Sequence, residues 1–220
     1  MNLHVESRIL WDKVLKETKN KIAMDIGANT GGYAAQMLDA GFEVWAYEPV
    51  NDVRQKMEER LKGRHGLTVR RVAISDERGV ISNVNVQSCW TLVPDGSGLE
   101  RAAEYVGKPP FNVITSTIDH ECDQLMIVPG FIKLDVDGYE FKALRGGVRT
   151  IQTYRPPILC EFNCYINKLG QSPEEFVRFI TETLNYRIES MDGEVVACSW
   201  EAVAPHWPYH SPYDVMLLPN

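Results

Sequence analysis

The stretch KIAMDIGANTGGYAAQMLDAGFEVWAYEP, residues 21–49, combines a short apolar strand, a glycine-rich turn, a helix and a second strand. Gly41 is a typical helix end, and the apolar run at 43–47 then returns the chain to the sheet. Two neighbouring strands joined through a helix lie parallel to each other. This β-α-β unit constrains the fold more than any other feature, because parallel sheets need helices on both faces.

The same alternation continues along the chain. It predicts a helix at about 51–62, strands at 67–75 and 131–135, a helix at 138–152, a strand in PPILCEF, a helix at 173–185 and an antiparallel final strand in YDVMLL. An amphipathic helix at about 6–19 leads into this pattern, and residues 76–130 interrupt it as an insertion over the strand ends. We therefore expect residues 1–220 to form a single α/β domain, doubly wound around a mostly parallel sheet.

Composition limits the partners of this domain. Its 44% hydrophobic and 24% charged residues are typical of a soluble globular protein, and no apolar run approaches the roughly 20 residues of a membrane helix. The net charge of −7, with dispersed basic residues, argues against nucleic acid. The 5 cysteines form no C-x-x-C pair, which favours a reducing compartment. We expect a cytoplasmic protein with neither a membrane nor a nucleic-acid partner.

The turn from Asp25 to Gly32 and the acid at the end of the second strand, Glu48, predict a nucleoside-cofactor site. Ligands of parallel sheets bind beyond the carboxyl ends of the strands, where the strand order reverses. Glycines permit positive φ and close approach of a ligand, and Asn29 is the residue type that best replaces glycine there. Glu48 offers two acceptor oxygens to a ribose diol.

NAD and S-adenosylmethionine both carry such a ribose. A dinucleotide turn has the pattern G-x-G-x-x-G, whereas this turn reads G-x-N-x-G-G and follows Asp25. A carboxylate at this place repels a pyrophosphate but suits the amino group and sulfonium of S-adenosylmethionine. The spacing thus favours S-adenosylmethionine. An NAD-dependent oxidoreductase and a non-catalytic cofactor-binding module that regulates a partner are the alternatives.

With these motifs the chain resembles the FkbM-type S-adenosylmethionine-dependent methyltransferases. AMDIGANTGGYAAQMLDAG, VWAYEP, VRRVAISDERG, STIDH, FIKLDVDGYEFKALRGG and PPILCEFN follow one another in the order and spacing of that family, over about residues 20–165. The resemblance implies a Rossmann-like class I methyltransferase fold with a seven-stranded sheet. It also implies methyl transfer to a hydroxyl of a small molecule or glycan, such as a sugar or a secondary metabolite.

The resemblance further implies roles for individual residues. The methionine part of the cofactor would contact Asp25, Gly27, Asn29 and Gly31, the ribose would contact Glu48, and the adenine would face Ala73, Ile74 and Asp76. The family more often has glutamate at the position of Asp137.

Activation of a hydroxyl requires a base or a metal, in addition to alignment with the methyl group. Asp135 ends the fourth strand, where the sheet presents its carboxyl end to the cofactor, and Glu161 ends the fifth. Their carboxylates can converge at the cofactor methyl as bases, or hold one Mg²⁺. His206 and His210 are further candidate bases, although packing of a surface loop with aromatic residues is the stronger explanation for them. For Glu161 the alternative is a structural pairing with a backbone group or a lysine.

The other acids of FIKLDVDGYE have local explanations. Asp137 and Glu140 match a capping box, in which the first acid caps a helix and the second bonds back. Lys133 precedes Asp135 by two residues, so on a strand both side chains face the same side and form an ion pair.

Overall fold

A central sheet dominates the computed structural model, which describes residues 3–86, 92–94, 106–208 and 211–220. The strand order is β3-β2-β1-β8-β9-β12-β10-β11. These strands are β1 Ile22–Ile26, β2 Glu43–Tyr47, β3 Leu67–Arg70, β8 Phe131–Leu134, β9 Ile158–Phe162, β10 Tyr186–Glu189, β11 Val196–Ala197 and β12 Tyr213–Pro219. Strands β3, β2, β1, β8 and β9 are parallel to one another. Strand β12 runs antiparallel to β9 and β10, as predicted for the final strand. The two-residue β11 extends the expected seven strands at the edge beside β10.

Helices cover both faces of this sheet. They are α1 Ile9–Glu17, α2 Gly32–Asp39, α3 Asn51–Arg60, α4 Ile118–Leu125, α5 Glu140–Arg145, α6 Val148–Tyr154, α7 Tyr165–Lys168, α8 Pro173–Arg178 and α9 Trp200–Val203. Successive residues of β1 point to opposite faces: Ala23 packs in the core with α1 and α2, whereas Met24 and Ile26 pack in the core with α4 to α8. The chain is therefore doubly wound, as the alternating pattern predicts. Among the described helices, none is long and apolar enough to cross a membrane.

A second, smaller sheet has the order β4-β7-β5-β6. Its strands are β4 Ala73–Ile74, β5 Gly79–Val86, β6 Leu92–Pro94 and β7 Phe111–Ser116. The predicted strand 67–75 is therefore wrong as a single element. The chain leaves the central sheet after Arg70, because Ala73 and Ile74 pair with Thr115 and Ser116 instead.

Other helix and strand boundaries also differ from the prediction. The helix expected at 138–152 is divided at Gly146 and Gly147, where a Cβ on Gly146 would lie 2.1 Å from the Ser75 carbonyl oxygen. The helix expected at 173–185 changes after Arg178 into a π turn over Phe179–Thr183. Strand β10 was not predicted. Its four residues closely follow this helical run and are too few to show a clear alternation of apolar and polar side chains.

Candidate active site

A cavity of about 280 Å³ opens beyond the carboxyl ends of β1, β2 and β8. The strand order reverses at β1, which lies between β2 and β8, so the cavity occupies the usual ligand position of such sheets. The second sheet forms the opposite wall of the cavity with apolar side chains, which include Val84 and Val113. Neither residue is among the predicted site residues. Described residues of the predicted insertion at 76–130 thus contribute to the cavity from above the strand ends.

The glycine turn has the predicted backbone geometry. Gly27 has a φ of 76°, and a Cβ there would lie 1.8 Å from the carbonyl oxygen of Asp135, so no other residue fits. Asn29 also has a positive φ, 49°, and both residues line the cavity. Gly31 does not line it. It precedes α2 as its N-cap and lies against Met57, and its contact with the cofactor stays a prediction.

Glu48 lies at the cavity wall directly after β2, and only 6% of its surface is exposed. Its carboxylate accepts hydrogen bonds from the backbone N–H of Asn29 at 3.0 Å and of Val50 at 2.8 Å. Burial raises the pKa of Glu48 to about 7, although these two hydrogen bonds oppose the rise. The bonds fix the carboxylate in one orientation beside the turn, which suits recognition of a diol.

The segment after β3 forms the apolar end of the cavity. Ala73 and Ile74 line it, as predicted, together with Val53 on α3. Asp76 does not line it, because its carboxylate forms an ion pair with Arg145. The contact of Asp76 with an adenine stays a prediction.

Asp25 lies behind the cavity wall. Its side chain is fully buried and does not line the cavity, so its contact with the cofactor stays a prediction. Its nearest cation is Lys133, whose Nζ lies 3.5 Å from Oδ1, and among the described residues neither carboxylate oxygen has a hydrogen-bond partner. Burial raises the pKa of Asp25, while the charge of Lys133 lowers it. The predicted ion pair between Lys133 and Asp135 is confirmed, at 3.2 Å.

Three acids form what we call the carboxylate cluster: Asp135, Asp137 and Glu161. One oxygen of each lies within 4.8 Å of the others, so Asp135 and Glu161 converge as predicted. Burial, followed by the charge of Asp135, raises the pKa of Asp137 to about 8. The same two causes raise the pKa of Glu161 to about 10. Carboxylates this close disfavour one another's charged form, which adds to the effect of burial on these pKa values.

Asp137 belongs to this cluster and not to a helix cap, so the predicted capping box is half wrong. The residue before α5 is Tyr139, with no side-chain cap, and Asp137 has a φ of 51°. Glu140 does bond back towards the strand, but its carboxylate accepts from the N–H of Val136 at 2.8 Å and of Gly138 at 2.9 Å, on either side of the predicted cap residue. The sequence signal for this role is the position of Asp137 two residues after Asp135, just beyond the end of β8.

His206 lies elsewhere. His206 ends a 3₁₀ turn over Ala204–His206, where its carbonyl accepts a hydrogen bond from the Tyr213 hydroxyl at 3.0 Å, and it is not among the described residues that line the cavity. His210 lies outside the described residues. A polar pair near the cluster was also missed: the Tyr33 hydroxyl donates to Asp214 at 2.7 Å, and Asp214 lies opposite Glu161 on the neighbouring strand.

The family model described as "Methyltransferase FkbM domain" matches residues 25–188. No curated protein matches the chain.

Three solved structures illustrate the structural likeness. A methyltransferase FkbM from Methylobacillus flagellatus aligns with a TM-score of 0.55 and 19% identity, over 90% of this chain and 43% of that one. An rRNA methylase from Streptococcus thermophilus aligns with a TM-score of 0.48 and 10% identity, over 98% of both chains. Fibrillarin from Aeropyrum pernix, solved with natively bound S-adenosyl-L-methionine, aligns with a TM-score of 0.47 and 12% identity, over 93% of this chain and 67% of that one.

The first of these likenesses confirms the predicted Rossmann-like α/β fold. The chain spans less than half the length of the Methylobacillus flagellatus protein.

Proposed function

Because this chain belongs to the FkbM methyltransferase family, we propose that it transfers a methyl group from S-adenosylmethionine to a hydroxyl of a sugar, glycan or secondary metabolite. The observation that carries the cofactor assignment is the Glu48 carboxylate, which two backbone N–H groups hold at the cavity wall beside the glycine turn. In this proposal Glu48 accepts hydrogen bonds from the two ribose hydroxyls.

The remaining lining fits the other parts of the same cofactor. Val53, Ala73 and Ile74 offer an apolar surface to an adenine ring, and Gly27 lets the backbone approach the methionine part closely. Glu48, Asp135 and Asp137 place three carboxylates at the cavity, whereas Lys142 is the one cation among its described lining residues. This charge suits a cationic amino group and sulfonium, and it disfavours the pyrophosphate of NAD.

The acceptor hydroxyl is proposed to lie at the carboxylate cluster. Bound S-adenosylmethionine supplies a methyl group that is already activated by its sulfonium, so the protein has to align the hydroxyl and remove its proton. Asp135 and Glu161 are the proposed bases, and because burial and the charge of Asp135 raise the pKa of Glu161 to about 10, Glu161 can accept the hydroxyl proton only after it has released its own. Alternatively, the three cluster oxygens hold one Mg²⁺, which prefers carboxylates and water as ligands.

Binding measurements test the cofactor assignment first. We expect S-adenosylhomocysteine to bind in isothermal titration calorimetry and to raise the melting temperature, and NAD to do neither. We expect Glu48→Ala to weaken binding about 10- to 100-fold with the fold intact, because a charged hydrogen-bond acceptor is lost. Glu43→Ala, at an exposed site on the same strand, is the matched control and keeps wild-type affinity. Unchanged binding by Glu48→Ala would exclude the ribose assignment.

Product analysis tests the reaction. Incubation with methyl-labelled cofactor and pools of glycans and metabolites is expected to yield labelled methyl ethers in mass spectrometry. Stabilisation by NAD alone would favour an oxidoreductase, and binding of S-adenosylhomocysteine without a methylated product would favour a regulatory module. Loss of turnover in EDTA, restored by Mg²⁺, would assign hydroxyl activation to a metal, whereas turnover that persists in EDTA would assign it to a carboxylate.

A further inference from the structure

Lys133 is a buried cation in the middle of the sheet. It lies on β8, its surface is only 2% exposed, and it is the sole cationic side chain among the buried residues in the part of the chain that the structure describes. An ammonium group is costly to bury unless its charge and all its donors are compensated. Its partners therefore indicate why the sequence keeps a lysine in an otherwise apolar strand.

Three acceptors from three segments surround the Lys133 ammonium. It donates to the Gly27 carbonyl oxygen at 2.6 Å, and it lies 3.2 Å from an Asp135 oxygen and 3.5 Å from an Asp25 oxygen. The Tyr33 ring lies on another side, with its centroid 5.2 Å away. Burial alone would lower the pKa of Lys133, but the charges of Asp135 and Asp25 outweigh burial and hold it above its ordinary value.

These contacts join the two parts of the cavity wall. Gly27 and Asp135 both line the cavity, whereas Lys133 does not and acts from behind them. The positive φ of Gly27 directs its carbonyl under the turn, where Lys133 is its hydrogen-bond donor. One ammonium group thus sets the turn and the Asp135 carboxylate relative to each other.

We propose that Lys133 is a positioning residue of the cofactor site, which holds the Gly27 turn and the Asp135 carboxylate in their binding arrangement from behind the cavity wall. This inference rests on the proposed function, because it assumes that the cavity binds S-adenosylmethionine. Lys133 then has two separate roles. It neutralises buried Asp25, which affects the stability of the fold, and it orients Gly27 and Asp135, which affects cofactor binding.

A double substitution separates these roles. Lys133→Met keeps the length of the side chain but leaves Asp25 without a cation, so we expect a marked loss of stability. Asp25→Asn combined with Lys133→Met removes both charges, and we expect its melting temperature to return towards that of Asp25→Asn alone. The affinity for S-adenosylhomocysteine is expected to stay about tenfold or more below that of Asp25→Asn, because Gly27 and Asp135 still lack their common partner.

Equal affinities of Asp25→Asn and the double variant would overturn the inference, since Lys133 would then only balance Asp25. Lys133→Arg, which retains charge and donors, is a second arm and is expected to bind S-adenosylhomocysteine more tightly than Lys133→Met. Equally weak binding by these two variants would also count against positioning. Failure of the wild-type protein to bind would overturn the proposed function itself, whereas wild-type binding with no effect of Lys133 would overturn this inference alone.

Discussion

The glycine turn and the carboxylate cluster lie beside each other at the carboxyl edge of the sheet, but their polar groups are arranged differently. Near the turn, the Glu48 carboxylate accepts two backbone hydrogen bonds, and the geometry of Gly27 allows no side chain. In the cluster, three carboxylates lie within 4.8 Å of one another, and the pKa values of Asp137 and Glu161 are raised. The turn is thus fixed before a ligand binds, whereas the charge of the cluster depends on protons or cations.

Under the proposed function, this difference indicates that the glycine turn determines the affinity for the cofactor. The carboxylate cluster then determines the rate of methyl transfer. A rigid, hydrogen-bonded wall suits recognition of a cofactor that is common to a whole family. A cluster that holds and releases protons suits work on an acceptor hydroxyl. Substitutions at the turn should therefore change folding and cofactor binding, and substitutions in the cluster should change turnover and pH dependence.

The largest effect is expected for Gly27→Ala. The new Cβ would overlap the Asp135 carbonyl, so we expect the free energy of unfolding to fall by about 4 kcal/mol or more, with loss of S-adenosylhomocysteine binding. Gly41→Ala is the matched control, because its φ of 83° is similar but no atom lies within 4 Å of the added Cβ. Only about 1–2 kcal/mol of backbone strain should result there. Similar losses for both variants in urea denaturation would contradict the close approach at Gly27.

Next in size is the effect of Glu161→Gln on turnover. The substitution keeps the shape of the side chain and removes a proposed base, so we expect kcat to fall about 10²- to 10⁴-fold. The affinity for S-adenosylhomocysteine should stay near that of the wild type, since Glu161 does not line the cavity. Steady-state kinetics and calorimetry measure the two quantities, with the exposed Glu194→Gln as control. Full activity would remove Glu161 from the reaction.

A smaller effect is expected for Asp137→Asn on the pH dependence of stability. Because the native pKa of Asp137 is raised to about 8, the folded state binds more protons than the unfolded state between about pH 4 and pH 8. Stability of the wild-type protein should therefore fall as the pH rises through this range, and it should fall less steeply in Asp137→Asn. Urea midpoints measured in EDTA from pH 5 to pH 8 test this, and equal slopes would show that Asp137 carries no such proton.

The smallest effect is expected for His206→Ala. It is not among the described residues that line the cavity, and the hydrogen bond from the Tyr213 hydroxyl goes to its backbone carbonyl, which alanine retains. We expect turnover within about threefold of the wild type. A loss as large as that of Glu161→Gln would return the histidine to the list of bases and would extend the reactive region beyond the carboxylate cluster.

The sequence by itself determined the α/β class, the glycine turn, Glu48 at the end of β2 and the antiparallel final strand. These features depend on neighbouring residues, because side-chain periodicity and the φ that glycine permits act over one turn or one strand. The pair formed by Lys133 and Asp135 is of the same kind, since alternation along a single strand places both side chains on one side.

Only the tertiary structure decided the second sheet, the place of Asp25 behind the wall and the entry of Asp137 into the cluster. Each depends on segments that are distant in sequence, as in the hydrogen bond of Lys133 to a carbonyl 106 residues earlier. A local motif makes Asp137 resemble a cap, whereas the packing of β8 beside β9 brings it to Glu161. The physical reason is that strand order and burial, which set these charges and contacts, arise only when the whole sheet has formed.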